Sequence, residues 1–535
     1  MALSRLLRSG LATLAIGLLA STAACSAETA NDEGEPAGSE DDLTSVTARS
    51  RTLEFQGTVY VETNASADQI LQAVRTQTQT AFGPLRTSDM AVKSRELREL
   101  DQSTFKKRNV KVVDVAGGGG TKDMIEVTYK YKDDAVVGMS LATRSTAPLA
   151  VMNPSYRSQL ERLLRECTTN DEHAREFSSS AWYIFEPNLP QCQEAIRQEQ
   201  SKVTADRARL TDTATQVTKS EVERLYLPIT VKLGADKTNR GASYPDYHRL
   251  YKGGVKQDKL VVSLVFGLID HGPGDAGPQS DFNWGELMTA LDLVMDAQGG
   301  TWKQAQSPDQ IDLSSFTLSG NKVVANPSIQ DLVKLKTGGS HLGLSYAQGE
   351  ELQKQFAERI EHKWLTIEHP IKVSVGNEAP RDFAIQLMVY FGAGSSSTPH
   401  KYATKNSDVF IYNGHSSIGY GPLDPRNFTA ADFPASYQIM WTDGCVSYNY
   451  YNKDYIPLKQ GGTKNLDMVT NGIEAPAWRG GYANGAFLVK LLDGRSSSYK
   501  DLLIAAKDTD PLRVVDGELD NEFRPDRMRI TITNR

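Results

Sequence analysis

Apolar residues follow two different rules along this chain. From about residue 51 to 150 they alternate with polar ones. "TLEFQGTVYVET" (52–63), "RNVKVVDVA" (108–116) and "DMIEVTYKYK" (123–132) read as strands with one covered face. "SADQILQAVRTQTQTAF" (66–82) has helical apolar spacing behind an Asp-containing start signal. The glycines at 117–120 lie between two strands and lack the Lys-Ser/Thr of a phosphate loop, so they predict a hairpin turn. This part reads as a small α+β domain. Residues 155–220 read as helical and charged, and "QEAIRQEQSKVTADRARLTDTATQVTKSEVERLY" (193–226) predicts one long polar helix. From about residue 222 the apolar runs become continuous: "KLVVSLVFGLIDHG" (259–272), "DFAIQLMVYFGAG" (382–394), "DVFIYNGHS" (408–416), "YQIMWTDGC" (437–445) and "NLDMVTNGIEA" (465–475). Runs of this kind suit strands covered on both faces, as in a mostly parallel sheet between helices. "FNWGELMTALDLVMDAQ" (282–298) is an amphipathic helix. The expected fold class is therefore α/β, a three-layer sandwich over 222–535 behind an accessory α+β and helical region over 51–221. No internal repeat of fixed period stands out.

The first 50 residues obey neither rule. Arg5 and Arg8, an apolar stretch from Leu11 to Leu19 and a run of small residues up to Cys25 have the layout of a secretory signal. The apolar stretch is too short for a comfortable membrane span. Residues 26–50 hold seven Asp/Glu, one Arg and no aromatic residue, so they are expected to form a disordered acidic tether. For the whole chain of 535 residues the formal charge is −7, with 39% apolar and 23% charged residues. That balance describes a globular protein and, without a Lys/Arg run, argues against a nucleic-acid partner.

Export changes how the four cysteines are read, because an oxidising compartment pairs thiols. Cys167 and Cys192 bracket a short region and form the natural disulfide. Cys25 belongs to the signal, which leaves Cys445 as the odd thiol. Cys445 ends one apolar run and His415 ends the preceding one. In open α/β sheets, sites form at the carboxyl ends of parallel strands. A thiol there needs an imidazole to take its proton, and backbone N–H groups beside the two, near Gly414 and Ser416, can receive an oxyanion. His271 competes with His415 for the role of base. It is much farther from Cys445 in sequence and is expected to line the cleft instead. Asp443 lies two residues before Cys445 and is a second cleft candidate, as is Asn413 in the same relation to His415. His400 reads as a loop residue facing solvent. The histidines of "HKWLTIEH" (362–369) are off the spacing of a helical zinc site, so neither metal nor cofactor is implied. The aromatic stretch "SYNYYNKDY" (447–455) reads equally as a contact surface or a packed loop. An inert buried thiol remains the alternative for Cys445.

Two resemblances follow from these residues. "STAAC" resembles a bacterial lipobox, with Thr22 in place of the usual Leu. That implies acylation of Cys25 and lipid anchoring in the cell envelope, at the outer membrane or in the periplasm. Simple cleavage nearby, and secretion, is the alternative. "VFIYNGHSS", "IMWTDGCVSYNY", "DMVTNGIEA" and "GGYANGAFLVKLLDG" resemble successive elements of the caspase-like cysteine peptidases, and among them the secreted gingipain-like branch. Ser416 stands where that branch has glycine. The resemblance implies a peptidase acting on peptide or protein substrates, with His415 as base, Cys445 as nucleophile and Ser416 N–H at the oxyanion hole. A non-catalytic envelope lipoprotein of the same fold is the second expectation, and a non-proteolytic thiol amidohydrolase the third.

Overall fold

A computed structural model describes residues 43–118, 120–169, 175–269, 277–392 and 396–533. The leader and most of the tether, with Cys25, lie outside these residues, and so does His271.

The chain is a mixed α/β protein built on two large sheets. The first has seven strands: β1 (Ala48–Glu62), β2 (Met90–Val92), β3 (Lys106–Val113), β4 (Thr121–Gly138), β5 (Thr146–Met152), β6 (Gln216–Thr218) and β7 (Tyr226–Asp236). Its order is β5-β7-β1-β4-β3-β6, with β2 added to β4. The glycine turn joins β3 to β4 as a hairpin, Val113 opposite Thr121. The alternating segments became antiparallel strands because every second residue, such as Leu53, Phe55 and Val59, enters one core. The helix Ala67–Gln79 starts on a capping box in which Ser66 and Gln69 satisfy each other's backbone N–H groups.

Three expectations fail in this half. The last residues of the tether are ordered: Leu43 is buried with Ala48, Ala91 and Val136, and Thr44 bridges to Val515. Strand β7 lies beyond residue 222 yet completes the first sheet, so the boundary placed there cuts through that sheet. The long polar helix stops at Arg207. Asp212 then accepts from the Ala214 N–H and the Thr215 hydroxyl in a local turn, and Gln216–Thr218 pairs with β3 instead.

Strands β8 (Lys259–Gly267), β9 (Lys303–Gln304), β12 (Trp364–Val375), β13 (Arg381–Gly392), β14 (Val409–Asn413), β15 (Gln438–Asp443), β16 (Leu466–Asn471), β17 (Arg513–Asp516) and β18 (Ile530–Thr533) form the second sheet; β10 (Ser315–Leu318) and β11 (Lys322–Ala325) make a separate hairpin. The order is β17-β16-β15-β14-β8-β13-β12-β18, with β9 on β12. The five strands from β13 to β16 run parallel. Those outside them pair antiparallel, so the sheet is mixed rather than mostly parallel. The expectation erred because continuous apolar runs report burial on both faces, not strand direction. Val409 and Ile411 enter one core with the helices Phe282–Gln298, Tyr346–Ile360 and Gly480–Gly494. Phe410 and Tyr412 enter the other core, shared with the first sheet. The accessory sheet thus covers a face where a helical layer was expected.

Candidate functional site at the carboxyl rim

The pairing of β14 with β15 sets the site. Asn413 lies opposite Asp443 in parallel register, so His415 and Cys445 each follow a matched position by two residues. They leave neighbouring strands at the same rim. The loops touch closely: a Cβ on Gly444 would lie 2.4 Å from Ser416 Oγ and 3.0 Å from the Gly414 carbonyl oxygen, so glycine is required there. The Tyr412 hydroxyl donates to the His415 carbonyl at 2.9 Å and fixes the first loop. Two β-branched residues next to the pair, Ile418 (φ 53°) and Val446 (φ 53°), hold left-handed backbone conformations. Such strain costs on the order of 1–3 kcal/mol per residue and gathers where a site must be shaped.

His415 is exposed, and its Nε2 lies 3.3 Å from the Ile269 carbonyl at the end of β8. A carbonyl only accepts, so Nε2 carries the proton in this contact and Nδ1 keeps its lone pair for base work. Cys445 is partly accessible, with Sγ 3.8 Å from the Ala475 carbonyl. Burial, then the Glu474 carboxylate, pushes its thiol pKa up to about 11, against the opposing charge of Arg86. At neutral pH the sulfur is therefore a thiol. No hydrogen bond joins it to His415 among the described residues. Neither the Ser416 nor the Cys445 amide donates a backbone hydrogen bond among the described residues.

The accessory region contacts the loops that follow β14, β15 and β16. Arg86 pairs with Glu474 just past β16, and Tyr183 OH donates to the same carboxylate at 3.2 Å. Phe82 stacks on Tyr450 at 5.8 Å between centroids. Asn449 accepts from the Glu96 N–H at 3.0 Å and donates to the Ser94 carbonyl at 2.8 Å. Arg95 pairs with Asp424 at 3.1 Å on the loop after His415. Arg86, Tyr183 and Glu474 all act electrostatically on one another, and Cys445 sits within reach of Tyr183 and Glu474.

No protein-family model, curated protein or solved structure matches this chain.

Asp443 and Asn413 do not line the cleft. The Asp443 carboxylate accepts from Asn471 and Asn484 Nδ2, each at 2.8 Å, and pairs with the fully buried Arg513 at 3.3 Å. Asn413 donates to Asn484 at 3.0 Å. These residues brace the rim from behind, because the strand alternation that aims Asp443 carries it under the helix Gly480–Gly494. Ser416 turns its hydroxyl into the protein beside Gly444, buried and without a hydrogen-bond partner among the described residues. His400 is not in a solvent-facing loop. It lies in the helix Thr398–Asn406, buried edge-on to Tyr412 at 5.2 Å, with Nδ1 2.9 Å from the Ser396 carbonyl. Burial pushes its pKa down to about 4. His369 lies on β12 and stacks with Trp302, and no cluster of three metal-ligating side chains occurs among the described residues. The stretch 447–455 is neither a contact surface nor a loop: it is a packed helical segment, a π-helical turn over Tyr448–Asn452 running into Lys453–Tyr455, with Tyr448, Tyr450, Tyr451 and Tyr455 buried. Cys167 and Cys192 are disulfide-bonded, with Cα atoms 4.7 Å apart.

Sequence reasoning missed Glu474, Arg86 and Tyr183. Glu474 carried a usable signal, since it lies three residues past a third parallel strand and so reaches the same rim. Arg86 and Tyr183 carried none, because their contacts arise only from the docking of the two sheets.

Proposed function

We propose that this chain is an exported, lipid-anchored cysteine peptidase of the caspase-like kind, held here in a capped resting form. The observation that carries the reading is the shared rim: a free thiol and an imidazole follow a matched pair of positions on adjacent parallel strands. The topology of five parallel strands with both residues at their carboxyl ends supports it. In the reaction, His415 Nδ1 takes the proton from Cys445 and the sulfur adds to the peptide carbonyl carbon. The oxyanion is met by the Ser416 and Cys445 amides. The amine leaves with the proton from the imidazolium, and water, deprotonated by His415, then hydrolyses the thioester. The raised thiol pKa belongs to the capped form, in which Glu474 opposes thiolate formation.

One observation favours a second reading. A thiol titrating at about 11 and not hydrogen-bonded to His415 also suits a non-catalytic envelope lipoprotein. Fluorogenic peptides with Arg, Lys, Asp or Asn before the cleaved bond separate the two. The proposal expects cleavage of at least one by the full chain or by its Glu474→Gln variant, which removes the charge that opposes the thiolate. Cys445→Ala should reduce that cleavage by about a thousandfold or more. Turnover that survives Cys445→Ala, or none with any peptide in either form, selects the second reading.

A further inference from the structure

One cavity among the described residues lies away from the thiol. It lies on the same face of the second sheet, near the amino ends of β8 and β13, and encloses about 940 Å³. That volume suits a small-molecule site. Its floor is Gln386 and Met388 of β13, with Thr366 and Glu368 of β12, and three of these four are almost wholly buried. One wall is the strap from Lys303 to Pro308. It is fixed rather than loose: Gln304 pairs with Ile367, the Ala305 amide donates to the Thr366 carbonyl at 2.9 Å, and Ser307 donates to the Trp364 carbonyl. The facing wall is Tyr402, whose ring packs 5.2 Å from that of Trp364.

The charges in this cavity do not balance. Lys259 pairs with Glu368. The Gln386 amide donates to the same carboxylate at 2.7 Å, which leaves its oxygen to accept from Lys256 at 2.8 Å. Lys256 is thus hydrogen-bonded to a neutral amide, with the Glu368 and Asp408 carboxylates acting on it at longer range, and Lys303 has no side-chain hydrogen bond or ion pair among the described residues. Three ammonium groups face one carboxylate, in a chain whose overall charge is −7. Cations gathered in a preformed concavity, against the sign of the whole molecule, raise the local concentration of anions. Met388 and Tyr402 add an apolar contact for the body of a ligand.

We infer that this cavity binds a small organic anion carrying about two or more negative charges, on carboxylate or phosphoryl oxygens, held by Lys256 and Lys303 against the Gln386 floor. Carboxylate and phosphoryl groups share the required chemistry. The site is independent of the peptidase reading and uses none of its residues.

Titration of the full chain with citrate, with glucose 6-phosphate and with glucose, followed by calorimetry and by the thermal midpoint, tests it. At least one of the two acids should bind saturably, with a Kd at or below about 1 mM. Glucose should not bind. Lys256→Gln together with Lys303→Gln should weaken the acid by about tenfold or more and flatten its salt dependence. Saturation by citrate alone assigns a carboxylate ligand, and by glucose 6-phosphate alone a phosphoryl one. Both lysines are exposed, so the variants should keep the midpoint of the unliganded protein. Lys303→Gln alone, on the strap, serves if the pair does not. Neither acid saturating, glucose binding as well as its phosphate, or unchanged affinity in the variants overturns the inference.

Discussion

The two ends of the second sheet are built on opposite terms. At the carboxyl rim the candidate reactive side chains sit on loops that Arg86, Tyr183 and Phe82 of the accessory region hold through Glu474 and Tyr450. Toward the amino ends there is ample space, lined by three lysines, the Glu368 carboxylate, amide and hydroxyl side chains, Met388 and Tyr402, with no thiol or imidazole in the lining. A search for thiols alone would have missed the end fitted to hold a ligand. Catalytic groups need neighbours that shift proton affinity, and those neighbours are supplied by packing, which itself consumes space.

The largest test of that contrast removes the brace behind the carboxyl rim. Arg513 is fully buried against Asp443 and stacks on Trp441 at 4.6 Å. Arg513→Met leaves Asp443 buried without its cation, and should destabilise the fold by about 3–5 kcal/mol in denaturant titration. At the amino end Lys259 and Glu368 are partly exposed. Lys259→Gln should change stability by less than about 1 kcal/mol. Equal losses at the two ends would erase the distinction.

A smaller effect sharpens it. The Glu474 carboxylate raises the Cys445 pKa by disfavouring the thiolate. Glu474→Gln removes that charge, so the pKa falls and the thiolate fraction at pH 7.5 grows. Alkylation of Cys445 should then run faster, by up to about tenfold for each pKa unit. A slower reaction would mean that the loop, not its charge, sets reactivity.

Much of this was legible in the residues. The helix expected over 282–298 is observed over Phe282–Gln298, and each continuous apolar run became a strand of the second sheet. Strand ends were legible too, because Gly414 and Gly444 follow the last apolar residues. What stayed hidden depends on contacts far apart in sequence. Strand direction at the sheet edges is set by which neighbour pairs, not by any run. The β12 segment, read only for its histidine spacing, is a strand whose His369 stacks under Trp302. His400 reads as exposed from "SSSTPHKY" alone, yet the helix it begins turns it against Tyr412. The cap on Cys445 joins residues 86 and 183 to residue 474, and no local pattern encodes that meeting.

The central claim is that His415 and Cys445 act on each other, and the rate of Cys445 alkylation by iodoacetamide, followed from pH 6 to pH 11 in the wild type and in His415→Ala, tests it most directly. Because the thiol pKa is raised, both rates should climb with pH toward about 11. The account predicts that the variant is slower by about tenfold at neutral pH, where the imidazole must take the proton, and that the two rates converge once the thiol ionises unaided. Superimposable rates across the whole range would make Cys445 an isolated buried thiol and contradict the account.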